Sequence, residues 1–119
     1  MEDTLAAAKS LGPETVLVTS AIDFEPGTTG SILAANGEDL VCKHPSVQNA
    51  PNGPGDLMSG LFLAHHMRCE NNRAAFRFAM SAVYQMVLKS KARGSDELTL
   101  AQDAACLLKP GDQLKVSRL

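Results

Sequence analysis

Asn52-Gly53-Pro54-Gly55-Asp56 leads directly into Leu57-Met58-Ser59-Gly60-Leu61-Phe62-Leu63-Ala64-His65-His66-Met67. The glycines and proline at 53–55 read as a tight turn. The run behind them is apolar almost all round, through Leu57, Met58, Leu61, Phe62, Leu63, Ala64 and Met67, which predicts a helix buried on most of its faces. Ahead of it, Thr15-Val16-Leu17-Val18-Thr19 is a β-branched apolar run of strand length, expected as a buried parallel strand. Further strands are expected at about Ala21–Phe24, Ser31–Ala35 and Asp39–Lys43, separated by turn chemistry at Gly27-Thr28-Thr29-Gly30 and Asn36-Gly37. Strands first, then a strand, a loop and a buried helix, predict an α/β fold with a mostly parallel sheet and flanking helices.

Outward from this centre the chain alternates between the same two periodicities. Leu5 to Leu11 is a short helical stretch closed by Gly12-Pro13. His44 to Pro54 holds three prolines and reads as an ordered loop. Asn71-Asn72 breaks the apolar helix, with Asn72 the expected cap of the next one. In that helix Phe76, Ala79, Met80, Val83 and Val87 recur at helical spacing, and Gly94 closes it. Thr99-x-x-Gln102 has the pattern of a capping box opening a last short helix that ends before Pro110-Gly111. Leu114-Lys115-Val116 reads as a final strand.

Composition bounds what such a chain does. Its 119 residues are 45% hydrophobic, enough for a packed core, and a net charge of -2 gives no field that attracts nucleic acid or an anionic membrane. No apolar run approaches the roughly 20 residues that span a bilayer, and Met1-Glu2-Asp3-Thr4 lacks the character of a signal peptide. Cys42, Cys69 and Cys106 are widely spaced, with no C-x-x-C. They are expected as reduced, mostly buried thiols of a cytoplasmic protein.

In a sheet with flanking helices, ligands sit where strand ends lead into helix N-termini. Two places fit: Thr19-Ser20 and the loop ending at Asp56. Glycines at 53 and 55 allow close backbone approach, and the first-turn amides of the helix would present unpaired donors to an anion such as phosphate. Asp56 would then stand beside the anion, able to take a proton from an attacking hydroxyl. The same residues also suit a plain tight turn, with Asp56 stabilising the positive end of the helix.

Three segments extend this into a resemblance. Gly12-Pro13-Glu14-Thr15-Val16-Leu17-Val18-Thr19-Ser20 is similar to the "GP-x-x-V-x-V-T-S" strand of pyridoxal kinases. Gly53 to His65 resembles their "G-x-G-D-L-x-x-A-L-x-L-A-H" anion-hole helix, and Glu97 to Asp103 their "E-L-x-L…A-Q-D" segment. The three occur in the right order and together span the chain. The resemblance implies that residues 1–119 are a single segment, the C-terminal ATP-binding and catalytic part of a ribokinase-like (Rossmann-like) domain. It also implies that the family's N-terminal half, with its aldehyde-substrate pocket and Mg²⁺-proximal segment, lies outside these residues.

By the same resemblance the activity is ATP-dependent phosphorylation of the pyridoxal 5′-hydroxyl, with ATP and Mg²⁺, in a protein that is a homodimer at full length. Asp56 is implied to be the catalytic base acting on the substrate, and the amides around Gly53, Gly55 and Asp56 the anion hole. Thr19 and Ser20 are implied to contact ATP phosphates. His44-Pro45-Ser46-Val47 resembles the family's "R-P-x-V" approach to the nucleotide, so Pro45, Ser46 and Val47 join Gly53, Pro54 and Gly55 as nucleotide-side residues, with Val47 on the adenine side. Two positions depart from the pattern: His44 stands in place of arginine, and Pro54 has no N–H to give. Asp56 separates the loop from the G-x-G-C of hydroxymethylpyrimidine kinases, and the residues after it from the G-A-G-D-x-F of sugar kinases.

Other candidates carry less. His65 and Cys69 lie four residues apart on one helical face, but two ligands do not make a metal site. Six of the eleven basic residues fall between Arg68 and Arg93, and read as a solvated face. Met58, Met67, Met80 and Met86 read as packing. No G-x-x-x-x-G-K-[ST] or G-x-S-x-G occurs. Beside the kinase stands a non-catalytic alternative: a nucleotide-binding or oligomerising fragment whose uncovered apolar faces lead it to self-associate.

Overall fold

Pro26 and Gly27 are all that separates the first strand from the second, and this short link sets the direction of the sheet. The computed structural model describes residues 1–68, 71–110 and 114–119, with residues 22–24 described through their backbone. These fall into two compact units, Met1–Ser46 with Lys115–Leu119, and Val47–Leu114.

The first unit comprises α1 (Glu2–Ser10), β1 (Thr15–Glu25), β2 (Thr28–Ala35), β3 (Leu40–Pro45) and β4 (Val116–Arg118). The strands lie in the order β1-β2-β3-β4, and every pairing is antiparallel. The expectation of a mostly parallel sheet is therefore corrected for these strands. Parallel neighbours need a crossover of about a dozen residues or more, whereas a hairpin needs only two. Gly27, at φ +83°, and Gly37, at φ +89°, supply the left-handed residues of the two hairpin links. The two strands expected at 15–19 and 21–24 form one strand with a bulge, because the register shifts between Val18 and Ile22.

Ser31 through Ala35 are all buried, so β2 is covered on both faces. That explains its continuous small and apolar run. α1 packs on β1 and β2 with Ala8 buried, and Lys9 Nζ meets Asp39 Oδ2 at 2.7 Å. Cys42 is fully buried, and burial pushes its thiol up to about 12. Cys106 is likewise free, buried and raised mainly by desolvation, so both are buried as expected. Cys69 lies outside the described residues.

The second unit comprises α2 (Pro54–Arg68), α3 (Asn72–Ala92) and α4 (Ala105–Leu108). α2 packs on α3, and its buried residues are Met58 and Phe62, one turn apart. Leu63 and Met67 are 57% and 77% exposed. The expectation of a helix buried on most faces thus fails here, because α2 buries only one stripe. On α3, Phe76, Ala79, Met80 and Val87 are buried as their spacing predicts. Its cap is Asn71 rather than Asn72: Asn71 Oδ1 accepts from the Ala74 N–H at 2.7 Å. Among the described residues, no helix is long and apolar enough to cross a membrane.

The capping box expected at Thr99 is also corrected. α4 begins at Ala105 with Ala104 as its cap and no side-chain cap bond, while Thr99 is buried in a polar cluster at the end of α3. Ser90 Oγ accepts from the Thr99 N–H at 2.9 Å and lies 3.0 Å from Thr99 Oγ1. Thr99 Oγ1 donates to Asp103 Oδ2. Arg93 grips Asp103 with two N–H donors, at 2.8 and 3.0 Å. α4 ends two residues before Pro110, as expected of a stop there, while Gly111 lies outside the described residues.

Two measurements check this packing. Asn71→Ala removes the cap of α3 and is expected to lower unfolding stability by about 1 kcal/mol in chemical denaturation, whereas Asn72→Ala is expected to leave the Asn71 cap intact. Asp103 is held down to about 2 from its ordinary 3.8, first by the Arg93 hydrogen bond and then by that from Thr99. A carboxyl depressed by folding stabilises the protein above its unfolded pKa, and that contribution is lost as pH falls through the folded value. Asp103→Asn is therefore expected to unfold earlier than wild type at neutral pH, with the gap closing between the ordinary 3.8 and about 2.

Candidate active site at the start of helix α2

Gly53 adopts φ +106°, a conformation that disfavours residues with a Cβ. Its carbonyl accepts from the Leu57 N–H at 3.1 Å, the first bond of α2, and Pro54 takes the first helical position, where a missing N–H costs nothing to the helix. Among the described residues, the amides of Gly53, Gly55 and Asp56 have no backbone acceptor. Together with the helix dipole, such amides form a positive end suited to an anion. The Asp56 carboxylate stands in the same first turn, exposed, with no hydrogen-bond or ion-pair partner among the described residues.

The loop is held from behind by the segment that follows α3. The Asn52 N–H donates to the Asp96 carbonyl at 3.0 Å, and Asn52 forms a single parallel bridge with Glu97. Leu98 closes the back of the turn, since a Cβ on Gly53 would lie 3.6 Å from its Cδ1. Two of the sequence segments singled out above, Gly53–His65 and Glu97–Asp103, therefore meet in space. Asn52 and Leu98 were given no role from the sequence, although Asn52 opens the quoted loop and Leu98 falls within the second of those segments.

In the first unit, Thr19 and Ser20 are exposed on the β1 bulge. Ser20 has φ +47°, unusual for a residue with a side chain, and its N–H donates to the Ser31 hydroxyl at 3.3 Å. Ser31 was read only as a strand residue, although a serine in an otherwise apolar strand is itself a signal of a local polar task. Pro45 and Ser46 are exposed at the end of β3, where the Ser46 N–H is tied to the Gly27 carbonyl at 2.8 Å. Val47, half-buried, opens the second unit. Gly53, Pro54, Gly55 and Asp56 thus share one helix start, Thr19 and Ser20 one bulge, and Pro45 and Ser46 one strand end.

His65 and His66 pack against aromatic rings. His65 lies against Phe78 with ring centroids 4.0 Å apart, and His66 stacks on Phe62 at 5.5 Å. Among the described residues no group of three or more His, Cys, Asp or Glu side chains could hold a metal ion.

No family model matches the chain. It is 33% identical over 124 residues to the pyridoxal kinase PdxY of Leifsonia xyli, across all of this chain and 44% of that protein. It is 38% identical over 111 residues to the PdxY of Pseudomonas fluorescens, across 85% of this chain and 38% of that one. Its fold matches the pyridoxal kinase of Leishmania donovani solved with ADP and ginkgotoxin, with a TM-score of 0.87 at 19% identity over 100% of this chain and 45% of that one. It matches the pyridoxal kinase of Trypanosoma brucei with a TM-score of 0.84 at 16% identity, over 100% and 44%. The chain spans less than half the length of these relatives. In sequence the chain is similar to part of these pyridoxal kinases, and its α/β fold is similar to the corresponding part of the solved ones.

Proposed function

We propose that residues 1–119 form the nucleotide-side, base-bearing segment of a ribokinase-like domain that transfers phosphate from ATP to the 5′-hydroxyl of pyridoxal. The observation that carries this is the start of α2, where an exposed Asp56, without a partner among the described residues, stands in the same turn as the open amides of Gly53, Gly55 and Asp56. ADP in solved pyridoxal kinases of the same fold supports the nucleotide. Pyridoxine and pyridoxal 5′-phosphate bound in others support the substrate class.

The chemistry follows from this arrangement. Asp56 takes the proton of the 5′-hydroxyl while that oxygen attacks the γ-phosphorus, and the bond to the ADP oxygen breaks. The amides of Gly53, Gly55 and Asp56 stabilise charge on the transferring phosphoryl oxygens, with the α2 dipole behind them. Pro54 supplies shape rather than a donor. The resemblance, rather than this helix start, is what assigns Thr19, Ser20, Pro45, Ser46 and Val47 to the nucleotide. Mg²⁺, when bound with ATP, would neutralise triphosphate charge.

Incubated with MgATP and pyridoxal, a full-length kinase domain that carries residues 1–119 is expected to form pyridoxal 5′-phosphate, read by its absorbance. Asp56→Asn is expected to lower kcat by about 10²–10⁴, the usual contribution of a positioned base, with MgATP binding by calorimetry little changed. Turnover of Asp56→Asn within a few-fold of wild type overturns the base assignment. A second reading, favoured by the exposed Leu63 and Met67, is a fragment that binds nucleotide and self-associates without transfer. MgATP binding without turnover, in a species larger than a monomer by light scattering, selects it. A monodisperse monomer that turns over pyridoxal excludes it.

A further inference from the structure

Ser90 is fully buried at the end of α3, yet its hydroxyl is crowded with partners: the Met86 carbonyl at 2.7 Å, the Thr99 N–H at 2.9 Å and Thr99 Oγ1 at 3.0 Å. Thr99 Oγ1 also meets Asp103 Oδ2, and Arg93 grips the same carboxylate. The protons can be counted. Two hydroxyls bring two protons to three oxygen contacts, and an ionised Asp103 brings none. The Thr99 proton goes to Asp103, and the Ser90 proton is shared between the Met86 carbonyl and Thr99 Oγ1. A buried cluster with every polar side-chain atom partnered holds a single geometry.

What this geometry fixes is the strip immediately before it. Thr99 follows Leu98, which backs Gly53. Leu98 follows Glu97 and Asp96, which pair with Asn52. Ser95 tightens the strip further, its Oγ donating to the Glu97 carbonyl at 2.7 Å and accepting the Glu97 N–H at 3.2 Å. The opposite end is tied at Asp103, whose N–H donates to the Thr99 carbonyl at 2.9 Å. The loop bearing the open amides thus leans on a strip whose own position is set at Ser90, Thr99 and Asp103.

We infer that Thr99, clamped between Ser90 and the Asp103–Arg93 pair, is a positioning residue that holds the 96–98 strip against Asn52 and Gly53 and so aims the amides of Gly53, Gly55 and Asp56. None of these clamp residues needs to touch a ligand. The consequence for phosphoryl transfer rests on the kinase reading above; the positioning itself does not.

The test compares Thr99→Val, which keeps the shape and loses the hydroxyl, with Thr99→Ser, which keeps the hydroxyl. In amide NMR of the 119-residue chain, Thr99→Val is expected to speed exchange of the Asn52 amide by about tenfold relative to the Met80 amide, the scale of one lost hydrogen bond. It is also expected to displace the Gly53, Gly55 and Asp56 resonances. Thr99→Ser is expected to restore both to wild-type behaviour. If Thr99→Val leaves Asn52 exchange and those resonances unchanged, or Thr99→Ser disturbs them equally, the inference is overturned. Should Thr99→Val not fold, Asp103→Ala removes the acceptor from the more exposed end, and the same readouts decide. Titration with ADP separates the two claims. A wild-type chain that ignores ADP, while Thr99→Val frees Asn52, sinks the kinase reading and leaves the positioning intact.

Discussion

The left-handed turn at Gly53 is the constraint on which the candidate site depends. At φ +106° the chain leaves its pairing with Asp96 and Glu97 and starts α2 within one residue. A residue with a Cβ would find room against Leu98, so space is not what requires glycine here; the backbone angle is. Once that angle is set, Pro54 falls at the first helical position with its φ already suited to the helix. The amides behind it then open outward, and Asp56 arrives in the first turn. Each of these features follows from the one before it.

The loop and its helix were legible in the sequence because glycine, proline and aspartate each constrain the backbone in a way few other residues do. Strand direction was less legible. Thr15-Val16-Leu17-Val18-Thr19 has the β-branched apolar character of a parallel strand, but that character reports burial rather than direction. Direction is set by the connections: turn chemistry was read at Asn36-Gly37 and at Gly27-Thr28-Thr29-Gly30, although the first turn falls at Pro26-Gly27 and Thr28 to Gly30 already belong to β2. Giving the links priority over the strand composition leads to the antiparallel order that the hydrogen bonds show. The bulge at Ser20 was hidden for a different reason. It depends on a hydrogen bond to Ser31 across the ladder, and the one local hint is that serine at the head of an apolar stretch.

Helix α2 shows the limit of reading burial from hydrophobicity. Its apolar residues surround the helix, yet only Met58 and Phe62 are buried, while Leu63 and Met67 face outward. Periodicity tells how many faces a helix is able to bury, and the neighbours present decide how many it does. The same distinction explains the caps. Asn71 and Asn72 have the same side chain, and what makes Asn71 the cap is its extended backbone, φ −148° and ψ 155°, which lets its side chain reach the Ala74 amide. Thr99 resembled a cap by spacing to Gln102, but its hydroxyl is engaged by Asp103 and Ser90, and the helix that follows starts only at Ala105.

An anion site made of backbone amides has a weakness that one made of side chains lacks. Its donors cannot reorient individually, so any movement of the loop moves all of them. Two glycines in three residues make the loop's own sequence a poor source of stiffness, because glycine loses more conformational freedom on ordering than any other residue. Pro54 recovers part of that loss by fixing one φ angle, at the expense of one donor. The remaining stiffness has to come from outside the loop, and the structure offers one such source: the 96–98 strip on one side, itself seated on a buried hydroxyl pair and an ion pair at the end of α3. A site of this construction is expected to be sensitive to residues that never approach its ligand, which is why Thr99 and Asp103 belong in any account of what Asp56 does.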